Sequence, residues 1–199
     1  MKIGVGGTIK HFIEKMISHK LIAGSIFSMI VLCFSLCLVL SSAENDPKHP
    51  VGSGDDDWWI AYPDQHPNAS SEIDHPQWLL EALKDKPVLI LVHSSGCGEC
   101  IIQEKDINRA LKDFHDEVDY YSIVLGQDER AYQILYAYYP SPSDRGRIYI
   151  PLTIVVTLVP NSKGEVQVGW HSYFSAKGQA HLQSYLNDAV SYYEDNSTA

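Results

Sequence analysis

Cys97 and Cys100 stand two residues apart in VLILVHSSGCGEC, directly after an apolar run. A pair at this spacing supports three chemistries: reversible oxidation, half of a metal site, or a permanent local crosslink. For the metal reading, His93 and His171 are the candidate nitrogen donors, and copper(I) or part of a zinc site is what such ligands would hold. The chain has no second Cys-x-x-Cys to close a tetrahedral zinc site.

The pair needs a scaffold, and hydrophobic periodicity supplies one. A helix is expected from Pro76 to near Lys84, with Trp78, Leu79 and Leu83 on one stripe. VLILVH then reads as a strand buried on both faces. Cys100, Ile107, Leu111 and Phe114 recur at helical spacing from Cys97 to about His115, and VDYYSIVL (Val118–Leu125) reads as the next strand, parallel to the first. Asp128–Tyr138 reads as a helix and IPLTIVVTLV as a buried strand opened by Pro151. NSKGE then turns the chain into VQVGW as an antiparallel hairpin. Ser175 is expected to cap a last helix with Leu182, Leu186, Ala189, Val190 and Tyr193 inside. WWIAY, within the irregular stretch Asp55–Ser71, reads as a short edge strand, and Asp55–Asp57 as a solvated acidic turn.

Upstream, Leu21–Leu40 is uncharged, apolar and about as long as a helix needs to cross a ~30 Å hydrocarbon layer. Lys2, Lys10, Lys15 and Lys20 precede it against the single acid Glu14, which places the N-terminus in the cytoplasm and the rest outside. The expected division is a cytoplasmic segment (1–20), a transmembrane signal anchor (21–43), a tether and irregular lead-in (44–71) and a globular domain (72–195). The alternative is a signal peptide cut at LSSA, Leu40–Ala43, which would leave the domain secreted. Sequons at Asn68 and Asn196 agree with an external address.

The exported part holds 11 Lys and Arg against 24 Asp and Glu, a formal charge of −13, which excludes nucleic acid as a partner. Cys33 and Cys37 fall inside the apolar span and read as small apolar residues. That leaves two external cysteines, too few for a disulfide-stapled mini-protein.

Two separated motifs, CGEC opening a helix after a buried strand and YIPLTIVVTLVPNSKGEV downstream, resemble the thioredoxin family over about Pro76–Tyr193. The resemblance implies an α/β, thioredoxin-like fold with a central mixed sheet flanked by helices, here preceded by one N-terminal transmembrane helix. It implies a thiol–disulfide oxidoreductase with no cofactor or metal beyond the redox-active Cys97–Cys100 disulfide. Protein thiols and disulfides would be its substrates, a further redox protein would recharge it, and the N-terminal helix would bind it to the membrane. Cys97, at a helix N-terminus whose N–H groups and dipole favour an anion, would be the nucleophile and Cys100 the resolving thiol. Pro151 would be cis, leaving the Ile150 backbone free to pair with an extended substrate.

The chain also departs from that pattern. Leu91 stands where the family keeps a buried aspartate, so the proton route must differ. Gly96 and His93 replace two tryptophans. Between the cysteines, Gly98 and Glu99 place a carboxylate that opposes a Cys97 thiolate, which makes the couple less oxidising and favours a reductase or isomerase. Ile150 before the proline resembles the reducing members. His93, when protonated, would partly cancel Glu99, while Glu104 reads as an exposed helix carboxylate. The rival functions are a copper- or other metal-binding protein and a non-catalytic binding module docking through an acidic surface or Tyr132, Tyr136, Tyr138 and Tyr139.

Overall fold

The computed structural model describes residues 49–114, 116–140 and 148–198. The expected cytoplasmic segment and anchor, Cys33 and Cys37 lie outside the described residues, as do the start of the tether and most of the PSPSDRGR loop. Among the described residues, no helix is long and apolar enough to cross a membrane.

The elements run Gln77–Ala82 (α1), Val88–His93 (β1), Gly98–Phe114 (α2), Asp119–Val124 (β2), Arg130–Tyr138 (α3), Leu152–Pro160 (β3), Val166–Phe174 (β4) and Gln179–Asn196 (α4). The sheet order is β2-β1-β3-β4, with β1 parallel to β2 and antiparallel to β3, and β3 antiparallel to β4. This mixed sheet with flanking helices is consistent with the expected thioredoxin-like fold.

Alternation along each strand divides the core into two layers. Ile90, Val92, Ile154 and Trp170 face one side, where Leu79 of α1 and Ala131 and Ile134 of α3 cover them. Leu89, Leu91, Val155 and Val159 face the other, against Ile107 and Ala110 of α2 and Leu182 and Leu186 of α4. The apolar run of β1 is therefore buried on both sides, as a central strand requires.

WWIAY is not a strand. It makes two isolated bridges: Trp58 pairs with Val51, and Trp59 and Trp170 exchange backbone hydrogen bonds of 2.8 and 2.9 Å across the outer edge of β4. Trp58 and Trp59 then insert into opposite core layers, so the pair clasps the edge strand that would otherwise expose its backbone groups.

The last hairpin also differs from expectation. Strand β4 continues beyond Trp170 to Phe174, because residues His171 to Phe174 stay paired with β3 and His171, Ser172 and Tyr173 are all buried. Ser175 is therefore not the cap of α4. It takes a left-handed φ of 64° at the turn after β4, and the helix begins after Gly178, whose φ is 87°.

Gly169 of β4 opposes Thr157, and a Cβ there would fall 2.6 Å from both methyls of buried Val159. Valine has little freedom at χ1 to retreat. Gly169→Ala should therefore cost about 1–3 kcal/mol in denaturant unfolding, and Val159→Ala in the same chain should recover part of that loss.

Candidate active site

Strand β1 ends at His93, and the chain reaches α2 through Gly96, whose φ of 79° is accessible mainly to glycine. Where the resemblance led to a tryptophan, this residue makes the turn that sets Cys97 immediately before the first helical residue, Gly98. Cys97 and Cys100 form a disulfide with Cα atoms 5.2 Å apart. Their environments differ. Cys97 is half-buried, whereas Cys100 is 2% exposed on the inner stripe of α2.

The Cys100 backbone N–H donates to Cys97 Sγ at 3.2 Å. It is one of the donors that a helix leaves unpaired in its first turn, and it supplies partial positive charge where a thiolate would form. Across the groove, the Ile150 carbonyl oxygen lies 4.0 Å from Cys97 Sγ. The Ile150–Pro151 bond is cis, and the Ser175 N–H donates to the Pro151 carbonyl at 3.1 Å, tying this loop to the end of β4. The structure thus brings Cys97, Cys100, Ile150 and Pro151 together.

The proposed tuning residues are placed differently from one another. Glu99 is exposed in the first turn of α2, and a side chain added at Gly98 would meet nothing within 4 Å, so the outer face of the motif is open. The His93 ring Nε2 lies 2.8 Å from Ser122 Oγ of β2. Leu91 is fully buried, and its cross-strand partner is Thr153. Glu104 is half-buried near Tyr120, whose hydroxyl burial pushes up to about 12.

Sequence reasoning missed the apolar rim. Ile101 and Ile102, directly after Cys100, are 51% and 53% exposed, and Ile148 and Tyr149, directly before Ile150, are also exposed. No spacing rule marks them, since two adjacent isoleucines fit the outer or the inner side of a helix equally well.

His171 is drawn away from the cysteines. It is buried on β4 and stacked on Tyr185 at 4.0 Å, with Trp59 4.5 Å away, and Nδ1 lies 3.0 Å from the Asp57 carbonyl oxygen. A cleft of about 510 Å³ on this edge is lined by Asp55, Trp59, His171, Tyr173, Ser175 and His181, and by neither cysteine. Among the described residues, no group of three His, Cys, Asp or Glu side chains is arranged to hold a metal ion. The four tyrosines of the binding-module reading divide likewise. Tyr132 and Tyr136 are exposed on the outer face of α3, while Tyr138 and Tyr139 are buried.

No family model and no curated protein matches the chain. Solved structures similar to it include a thioredoxin from Malassezia sympodialis, 15% identical, covering 59% of this chain and 90% of that one with a TM-score of 0.39. A thioredoxin from Fasciola hepatica is 13% identical over 57% of this chain and 89% of that one, with a TM-score of 0.39. A thioredoxin-like protein from Clostridium perfringens is 18% identical over 56% of this chain and 76% of that one, again with a TM-score of 0.39.

Proposed function

We propose that the protein is a thiol–disulfide oxidoreductase acting on protein thiols and disulfides outside the cytoplasm. The observation that carries this reading is the Cys97–Cys100 disulfide at the start of α2. Its first sulfur is reachable and receives a backbone N–H, and its second is buried. In the reduced protein the Cys97 thiolate attacks a substrate disulfide, one substrate sulfur leaves as a thiolate, and Cys100 then displaces the other. Two electrons pass to the substrate, and a partner dithiol must restore the pair. The exposed Ile101, Ile102, Ile148 and Tyr149 suit substrates with apolar residues beside the reacting cysteine. The apolar run Leu21–Leu40 with its preceding lysines supports the second part of the proposal, a membrane anchor that holds the domain on the far side.

The direction of exchange is reductase- or isomerase-like, because Glu99 sets a negative charge one turn or less from Cys97. Glu99→Gln should speed alkylation of reduced Cys97 at neutral pH by about threefold, the effect expected of one exposed charge screened by salt. An unchanged alkylation rate would remove Glu99 as a tuning residue.

Equilibration with redox buffers of graded potential, read by alkylation and mass spectrometry of Cys97 and Cys100, tests the reading. A midpoint toward the reducing end of about −270 to −120 mV supports the reductase, and one toward the oxidising end assigns disulfide formation instead. Resistance to reduction below about −300 mV would make the bond structural and overturn the enzyme reading.

A further inference from the structure

Gln103, Thr153 and Tyr173 are polar residues buried between α2 and the sheet. Gln103 follows Cys100 by three residues and shares its inner stripe, which continues through Ile107 and Ala110. Thr153 is the cross-strand partner of Leu91, and Tyr173 is the partner of Thr153, so both lie on the face that α2 covers. Gln103 Nε2 donates to Tyr173 Oη at 3.2 Å, and Thr153 stands beside the same hydroxyl. Thr153 Oγ1 has the Tyr173 hydroxyl as its polar neighbour, yet among the described residues Gln103 Oε1, fully enclosed, has no direct hydrogen-bond partner. Polar atoms left unpaired in an interior call for an explanation. Packing offers none, since Leu89, Leu91, Ile107 and Ala110 show that the layer accepts apolar side chains.

We propose that Gln103, Thr153 and Tyr173 form a polar seat beneath Cys100 that holds the charge on its sulfur while the mixed disulfide is resolved. This rests on the redox reading of the two cysteines. In that step the Cys100 thiol releases its proton and its sulfur attacks Cys97 Sγ. The Cys97–Cys100 bond forms, the bond from Cys97 to the substrate sulfur breaks, and the substrate sulfur departs with the electron pair and takes up one proton. Cys100 is 2% exposed, so water is poorly placed to solvate its thiolate. The hydroxyls of Thr153 and Tyr173 each carry a hydrogen to donate, and Gln103 Oε1 can accept the S–H of the resting thiol. The three are positioning residues, placed where Leu91 supplies no carboxylate.

Other titratable groups surround this layer. Helix α2 contributes Glu99, Glu104 and Asp106, the last paired with Arg109 at 3.1 Å. His93 ends β1, and Tyr120 lies on β2. His181 of α4 stands edge-on to Tyr173 at 4.7 Å, with Tyr185 beside it, and the described part of β3 contributes none.

The test uses the full chain carrying Tyr173→Phe, Thr153→Val or Gln103→Leu, each nearly isosteric. Reduced protein is mixed with a peptide disulfide, quenched with acid, and the mixed disulfide followed by mass spectrometry across the pH range. Tyr173→Phe and Thr153→Val should leave the rate of mixed-disulfide formation unchanged. Each should slow its resolution at neutral pH by about tenfold and move the resolution profile about one unit toward alkaline pH. Gln103→Leu should act in the same direction. Parental resolution rates and profiles in all three variants would overturn the proposal. So would equal slowing of formation and resolution, which marks a general disturbance. A parent chain that never forms a mixed disulfide would instead refute the redox reading itself, and the polar seat with it.

Discussion

Cys97→Ser is expected to abolish disulfide exchange, with a loss on the order of 10³-fold or more. Serine fills the same space, but its hydroxyl is not ionised near neutral pH. The N–H of residue 100, which meets the sulfur at 3.2 Å, then has no thiolate to stabilise. Cys100→Ser should behave differently. The first attack survives because Cys97 is the reachable sulfur, but resolution fails and Cys97 accumulates as a mixed disulfide with substrate. Trapping from a defined peptide disulfide, followed by mass spectrometry, distinguishes the two variants. Parental turnover in Cys97→Ser would end the assignment of the nucleophile, and a Cys100→Ser protein that traps nothing would end that of the resolving thiol.

The second large effect is acid instability centred on His171. Burial against Trp59 and Tyr185 lowers its pKa to about 3, the Asp57 carbonyl opposes that shift, and the nearby His181 and His49 reinforce it. The folded protein thus keeps His171 neutral where the unfolded chain, with an ordinary value of about 6.5, binds a proton. The stability held by this group is complete above the unfolded value. It is lost as pH falls from about 6.5 toward about 3, by at most about 3 kcal/mol on reaching pH 4. His171→Phe keeps an aromatic ring in the stack and loses the contact with Asp57. It should be slightly less stable than the parent at neutral pH, yet lose less of that stability on acidification. Denaturant unfolding at a series of pH values reads this directly. Parallel acid limbs for parent and variant would show that other groups drive the acid transition.

The fold was legible wherever one physical signal dominated. VLILVH could only be a central strand, and Cys100, Ile107 and Phe114 marked the inner side of α2 by their spacing. The cysteine pair stood out by its spacing and place after a buried strand, whereas the cis form of the Ile150–Pro151 bond was implied only by the family resemblance. The clasp at the sheet edge was hidden because two adjacent tryptophans in an irregular stretch carry no period, and they are buried by residues more than a hundred positions on, Trp59 by Trp170 and Trp58 by Tyr185 and Tyr192. His93 was read by closeness in sequence to Cys97, and its cross-sheet hydrogen bond to Ser122 was not legible because β1–β2 pairing is set by residues about thirty positions apart. Gln103 went unnoticed for a similar reason. A glutamine on an amphipathic helix looks like surface, and only its pairing with Tyr173 shows it inside.

The tryptophan clasp also determines what this protein's own light emission will report. Trp58, Trp59 and Trp170 are three of its four indoles, each at most 1% exposed, with Trp59 and Trp170 rings 4.9 Å apart. Trp170 lies four residues along β4 from Phe174, the partner of Leu152 next to the cis proline, or about 13 Å at strand rise. Intrinsic fluorescence is therefore an optical gauge of whether the Trp58–Trp59 segment is seated on the sheet edge. Reduction of the cysteine pair should leave this emission nearly unchanged, while cleavage beside Trp58 should shift it at once.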